Sequence, residues 1–184
     1  RLDLYAARAL PWDANLARSR YRQWLLELVA AHQMQSASVN AENPQPIEIR
    51  GRLNRRKQRR IGHTIRFTLR ARTTLSRLVD FLHDFERSAQ LHKIQSYSLN
   101  PLGNGSELDL SLVIETLSLE AAERETSLSA WQQRPDRLPP RSAFQPLVQR
   151  NIFAQGFSKS LAEMRLAAIT QNRAGQKQAW FDLG

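Results

Sequence analysis

Cysteine is absent from the 184 residues. That excludes a disulfide framework, a thiolate metal site and a cysteine nucleophile. It does not choose a compartment. No apolar run approaches 18 residues, so no helix of this stretch can cross a bilayer. Glycine is scarce, with 7 in the chain. None sits in a Gly-x-Ser-x-Gly elbow, a phosphate loop or a Gly-x-Gly-x-x-Gly fingerprint. Gly103-Asn104-Gly105 reads instead as a hairpin turn. No signal peptide opens the sequence. It begins at Arg1 without Met, which reads as a piece of a longer protein.

Acidic residues are also few. There are 17 against 27 basic ones, for a net charge of +10. The excess is not evenly spread. Residues 1–49 are balanced, with 5 charges of each sign, and 61–125 carry 7 basic and 9 acidic. Residues 50–60 hold 7 cations and no acid, and 126–184 hold 8 basic and 3 acidic. The compact cluster is Arg50, Arg52, Arg55, Arg56, Lys57, Arg59 and Arg60. It contains no aromatic, whereas a nucleic-acid groove spreads cations over a face and interleaves stacking rings. Three readings follow: a solvated hairpin tip, attraction to an anionic membrane surface, or non-specific contact with nucleic acid.

The apolar pattern changes period along the chain. Residues 12–34 read as an amphipathic helix, capped by Asp13 after Pro11, with Ala17, Tyr21, Trp24, Leu25, Leu28, Val29 and Ala31 on one face. Alternation over 37–49, broken at Asn43-Pro44 and Pro46, predicts an interrupted edge strand. Residues 61–72 alternate Ile65, Phe67, Leu69 and Ala71 with Arg66, Thr68, Arg70 and Arg72, a second strand. A helix then starts at Thr73 or Thr74. Its expected stripe is Leu75, Leu78, Val79, Leu82, Phe85 and Ala89, with Phe81 on the flank. Residues 91–99 predict a third strand, ended by Asn100-Pro101. A fourth starts near Leu108, and a bulge or strand end near Thr116 would account for the phase slip to Leu117 and Leu119.

Helix, strand, strand, helix, strand, strand implies an α+β two-layer sandwich. The predicted fold is a circularly permuted ferredoxin-like domain (αββαββ) with sheet order 1-2-4-3. Strands 2 and 4 are expected side by side and parallel. The domain spans 1–125, with its core at about 12–120. The Pro-rich stretch 126–157 reads as an extended linker. Residues 158–184 read as a short helix and strand, which would suit the start of a further small domain.

Candidate chemistry is thin. His83 and Glu86 share a helix face but lack a third metal ligand, so an exposed face with local ion pairs is the simpler reading. His92 reads as a cation at a helix end. Asp109 and Glu115 read as cross-strand partners of strand arginines. No catalytic, cofactor-binding or metal-binding residue is assigned, and no cofactor or small-molecule substrate is expected. An acylphosphatase-like enzyme would need a glycine-rich anion loop before the second helix, and none is present.

The texts 67–87 (FTLRARTTLSRLVDFLHDFER), 91–101 (LHKIQSYSLNP) and 108–119 (LDLSLVIETLSL) resemble the PilO and GspM proteins. These are inner-membrane assembly components of type IV pili and type II secretion systems. The resemblance covers about 60–120 well and 12–60 loosely. It implies a permuted ferredoxin-like periplasmic domain and a non-enzymatic scaffold on the periplasmic face of the bacterial inner membrane, anchored by a segment upstream of Arg1. It further implies a homodimer, or a heterodimer with a PilN- or GspL-like protein. The tail from 126 departs from the PilO pattern and faintly resembles the start of a PilP- or GspC-type β domain. The expected interaction residues are Tyr21 and Trp24 on the first helix and His92, Lys93, Gln95 and Tyr97 on the third strand, the less defended sheet edge. The rival expectation is a small nucleic-acid-binding ferredoxin-like domain using the basic 50–60 segment. Against it, the outward strand positions Arg66, Thr68, Arg70, Asp109, Ser111 and Val113 include no aromatic.

Overall fold

The computed structural model describes residues 2–50, 58–88, 90–122, 126–128, 138–154, 165–171 and 177–182. The elements run α1 (Leu2–Arg8), α2 (Ala14–Ala31), β1 (Gln35–Ala41), β2 (Gln45–Arg50), β3 (Gln58–Thr73), α3 (Leu75–Arg87), β4 (His92–Leu102) and β5 (Glu107–Leu119). A 3-10 turn (Arg141–Phe144), α4 (Gln145–Arg150), β6 (Arg165–Gln171) and β7 (Lys177–Asp182) follow. The class is α+β. A five-stranded antiparallel sheet follows the path β1-β3-β5-β4, and β2 also pairs with β3. Strands β6 and β7 form a separate antiparallel pair.

The expected order of 1-2-4-3 counted four strands. Five are present because the first splits at 42–44 into β1 and β2, both paired with the long β3. The prolines at 44 and 46 make the break, since proline cannot donate to a ladder. The expected parallel pairing is corrected. β3 and β5 are adjacent but antiparallel, in unbroken register from Gly62↔Leu119 to Thr73↔Leu108. The crossover through α3 returns β4 parallel to β3, and the turn at Gly103–Gly105 then reverses β5.

That unbroken register also removes the expected bulge near Thr116. Alternation continues with polar residues in the core positions: Thr116 and Ser118 are both fully buried. Their hydroxyls are satisfied by main-chain carbonyls. Thr116 Oγ1 donates to the Ile65 carbonyl at 3.2 Å, and Ser118 Oγ donates to those of Pro11 and Trp12. Buried hydroxyls with partners cost little. A register shift does occur in β4, between Ile94 and Ser96. β4 also continues through Pro101, which an edge strand tolerates.

Helix starts follow their caps. The Asp13 carboxylate accepts from the amides of Asn15 and Leu16, and the Thr74 hydroxyl accepts from that of Arg77. α2 buries Ala17, Tyr21, Leu25 and Val29, one residue per turn. α3 buries Leu75, Leu78, Phe81 and Phe85. Phe81 is therefore a core residue, not a flanking one, while Val79 and Leu82 are half-buried. Both helices share one core with Ile65, Phe67, Leu69, Leu108, Leu110, Leu112 and Ile114 of the central strands. Leu10 joins it at zero exposure, and its amide bonds to the Leu117 carbonyl at 2.9 Å. The α1 segment had no counterpart in the periodicity.

Candidate interaction surface

The six expected interaction residues separate into two groups. Tyr21, Trp24 and His92 lie together, Tyr21 fully buried and the other two partly so. The Tyr21 hydroxyl is 2.7 Å from His92 Nδ1. The His92 ring stacks on Phe85 at 3.9 Å between centroids and 4° between planes. Trp24 closes the cluster, 5.1 Å from Tyr21 and 5.8 Å from His92. Tyr21 is fully buried, so its expected exposure on the first helix is corrected. Phe67 of β3 packs beneath the Tyr21 ring, 4.8 Å between centroids.

His92 is also not the helix-end cation expected. Burial, with a smaller contribution from the charge of Arg8, pushes its pKa down to about 3, against a hydrogen bond to the Phe85 backbone that favours the charged ring. The ring is neutral at pH 7 and acts as packing with a polar handle. Burial and the charge of Glu86 push the Tyr21 hydroxyl well above its usual range.

Lys93, Gln95 and Tyr97 form the second group, on β4. Gln95 and Tyr97 are exposed, and Lys93 carries its ammonium on the surface. Lys93 Nζ lies 2.8 Å from Glu115, which also accepts from Arg66 at 3.3 Å. The bond from Lys93 is the main reason the Glu115 carboxyl is held below its usual range; that of Arg66 adds to it, and partial burial opposes both. Asp109, another carboxylate of this strand face, stands opposite Arg72 in register. Tyr97 is 72% exposed. It pairs with Leu112, whose side chain is in the core, so it belongs to the helix-facing side of the sheet.

That side is open between α3 and β4. A groove of about 770 Å³ runs there, floored by Leu75, Leu78, Leu110 and Leu112 and walled by Val79, Leu82, Ile94, Tyr97 and Leu99. Its volume lies within the usual range for binding pockets. Among the described residues, no charged side chain lines it. Leu147, Ile152 and Phe153 of the C-terminal stretch close one flank. Among the described residues, five large hydrophobics are exposed, and three of them, Tyr97, Leu147 and Ile152, line this groove. Such clustering, unlike scattered exposed residues, makes this groove the candidate contact surface.

The stretch read as an extended linker, 126–157, thus holds local structure over its described residues 138–154. It is fastened to α3. Arg141 Nη2 donates to both Asp84 carboxylate oxygens at 2.6 Å, and Nη1 lies 3.7 Å from Asp80. Arg141 Nε also reaches His83 Nδ1 at 3.4 Å, and that histidine side chain is only 10% exposed, not the open helix-face residue expected. His32 Nε2 lies 3.2 Å from Asp84 without the alignment of a hydrogen bond. Burial alone would raise the Asp84 carboxyl; the bond and charge of Arg141 outweigh it and hold the pKa below the usual value. A second attachment is at the β4–β5 turn. Asn151 Nδ2 donates to the Gly105 carbonyl at 3.3 Å, and a Cβ at Gly105 would collide with the Phe153 carbonyl.

Of the basic run, 51–57 lies outside the described residues, so Arg52, Arg55, Arg56 and Lys57 have no described position. Arg50 ends β2, and Arg59 and Arg60 are exposed at the start of β3. Arg59 pairs with Glu120 at 2.8 Å on the surface. Among the described residues, no helix is long and apolar enough to cross a membrane, and no cluster of three or more His, Asp or Glu could hold a metal ion.

Sequence reasoning missed Arg141, Asp84, Gly105 and Phe153 as a set. Their contacts join positions far apart in the chain, and no spacing rule links them. Compared with family models, curated proteins and solved structures, the chain matches none.

Proposed function

We propose that this chain is a non-catalytic scaffold module that works by pairing with another folded chain. The observation that carries the reading is the uncharged, apolar groove beside the open edge of β4, rimmed by Tyr97, Leu147 and Ile152. A partner there could add a strand to β4 and bury side chains in the groove. The opposite edge is a poorer candidate, since β2 carries Pro46 beside the basic run. The resemblance to PilO and GspM proteins suggests a homodimer or a PilN- or GspL-like partner on the periplasmic face of an inner membrane. The αββαββ order, with β1 and β2 taken as one interrupted strand, supports reading the sheet as circularly permuted ferredoxin-like with order 1-2-4-3.

Sedimentation of residues 1–184 across micromolar concentrations tests this, alone and with each candidate partner. The expected result is a reversible dimer or a complex with a partner. A species that is monomeric throughout and ignores every partner removes the reading. It would return attention to nucleic acid, for which the 50–60 segment is the one supporting feature.

A further inference from the structure

The arm 138–154 and the surface that receives it are complementary in charge as well as in shape. The arm carries Arg141 and Arg150 and no acid. The face of α3 beneath it presents Asp80 and Asp84. The apolar part, led by Phe153, enters the α3–β4 groove, yet a volume of about 770 Å³ stays open and Leu147 and Ile152 remain 44% and 42% exposed. Within one chain the seat is therefore incompletely filled. Residues 129–137 join the arm to Leu128, a length of about 33 Å at full extension. Nothing in the seat depends on which copy supplies the arm.

We propose that the arm is exchangeable: the α3–β4 groove takes residues 138–154 of a second copy, with its Arg141 on Asp84 and its Phe153 in the groove. Exchange would retain the Arg141–Asp84 clasp and the Phe153 seat of the single chain while linking two copies. Exchange of an identical element is a low-cost route to a dimer. The inference deepens the scaffold reading and rests on it for the importance of this surface.

Charge reversal in two chains tests it. In Arg141→Glu the arm meets Asp84 with like charge; in Asp84→Arg the seat repels Arg141. Neither chain can clasp its own arm, nor that of its own kind, so each sediments as a monomer. Mixed one to one, the acidic arm of the first variant fits the basic seat of the second. The second variant's arm keeps Arg141 and fits the Asp84 seat that the first retains. Both fits form only between chains. A dimer in the mixture, absent from either variant alone, is the expected result. A chain carrying both changes regains its own clasp and should sediment as the wild type does. Circular dichroism melts of each variant confirm folding. Two folded variants that stay monomeric when mixed would overturn the exchange. If the wild type still associates, or binds a partner, in that case, the scaffold reading survives and only the arm's part in it is lost.

Discussion

The two helices cover the same sheet face with different success. Under α2 the layer is closed by rings in contact: Tyr21 meets Phe67, and Trp24 and His92 pack against Phe85. Under α3 the layer is closed only along the inner line of Leu75, Leu78, Phe81 and Phe85; toward β4 it opens into the groove. α2 has 18 residues and α3 has 13. More important is what each faces. α2 lies over β1 and the inner strand β3, whose Phe67 rises to meet Tyr21, whereas β4 breaks register between Ile94 and Ser96 and leaves Tyr97 exposed on the helix-facing side. The tightly packed rings and the open apolar groove thus lie in different parts of one core.

Truncation should expose that division most strongly. Phe85→Ala removes a fully buried ring shared by both halves and should cost about 3–5 kcal/mol. Leu82→Ala, at the groove wall, should cost less, about 1–2 kcal/mol, because its side chain is only partly buried and the truncation opens onto the groove rather than leaving a closed cavity. Urea unfolding of both variants checks the contrast. Equal losses would mean that the groove side is as tightly packed as the other.

Much of this layout was legible beforehand, because the period-two runs in β3 and β5 and the caps at Asp13 and Thr74 are local signals. The location of the core followed from them. The direction of β5 was recoverable too: the hairpin turn read at Gly103–Gly105 reverses the chain after the crossover, and the parallel expectation applied the crossover rule to strand 4 without carrying that reversal through. Thr116 and Ser118 misled for a physical reason. Apolar periodicity cannot see a hydroxyl that is buried against a carbonyl of another segment. Tyr21 was placed on the apolar helix face, yet its size suggested that a four-stranded sheet would leave it partly uncovered; Phe67 packs on its ring and His92 supplies the polar partner inside. The arm was not legible at all, because a proline-rich sequence carries no record of Asp84 or Gly105.

The next effect separates the halves by pH. His92 is held neutral in the closed half, with a pKa of about 3 against an ordinary 6.5. Below pH 6.5 the unfolded chain takes up a proton that the folded one refuses. This contribution is therefore complete above pH 6.5 and is lost as pH falls toward 3, by up to about 1.4 kcal/mol per pH unit. Melting temperature should fall over that window. His92→Gln, whatever its overall cost, should flatten the slope between pH 6.5 and 4. An unchanged slope would place the titrating group elsewhere, with His63 the alternative, since burial and Arg60 also lower its pKa. The Arg141 clasp behaves differently: with Asp84 depressed, its contribution persists down to about pH 4 and is lost only below.

Two glycines in one turn sharpen the view of the open half. Gly103 has φ +56 and Gly105 has φ +80, so alanine is strained at either, by about 1 kcal/mol. At Gly103 the new Cβ meets open space. At Gly105 it runs into the Phe153 carbonyl, so the arm must also lift. Both substitutions should lower stability modestly, but only Gly105→Ala should speed hydrogen exchange of the Phe153 and Ala154 amides. Equal exchange in the two variants would show that the arm does not rest on the turn.

The smallest effect is expected at the basic run, which belongs to neither half. Arg59 and Glu120 form a pair whose side chains are 71% and 48% exposed, a geometry in which the ion pair contributes little. Arg60 is exposed beside it, and neither residue belongs to the core cluster. Changing Arg55, Arg56 and Lys57 to glutamine removes three like charges from a segment carrying seven. Relief of their mutual repulsion and loss of stray attractions are both weak and screened at ordinary salt. The melting temperature should stay within about a degree of the wild type, and a drop of roughly ten degrees would show that the run is structural. The same variant separates the two uses open to these cations. If the wild type binds a mixed-sequence oligonucleotide with an affinity that falls steeply with salt, and the variant does not, the run contacts phosphates. If neither binds while association through β4 is unaffected, the charge serves no nucleic acid, and the contact surface of this molecule lies on its uncharged side.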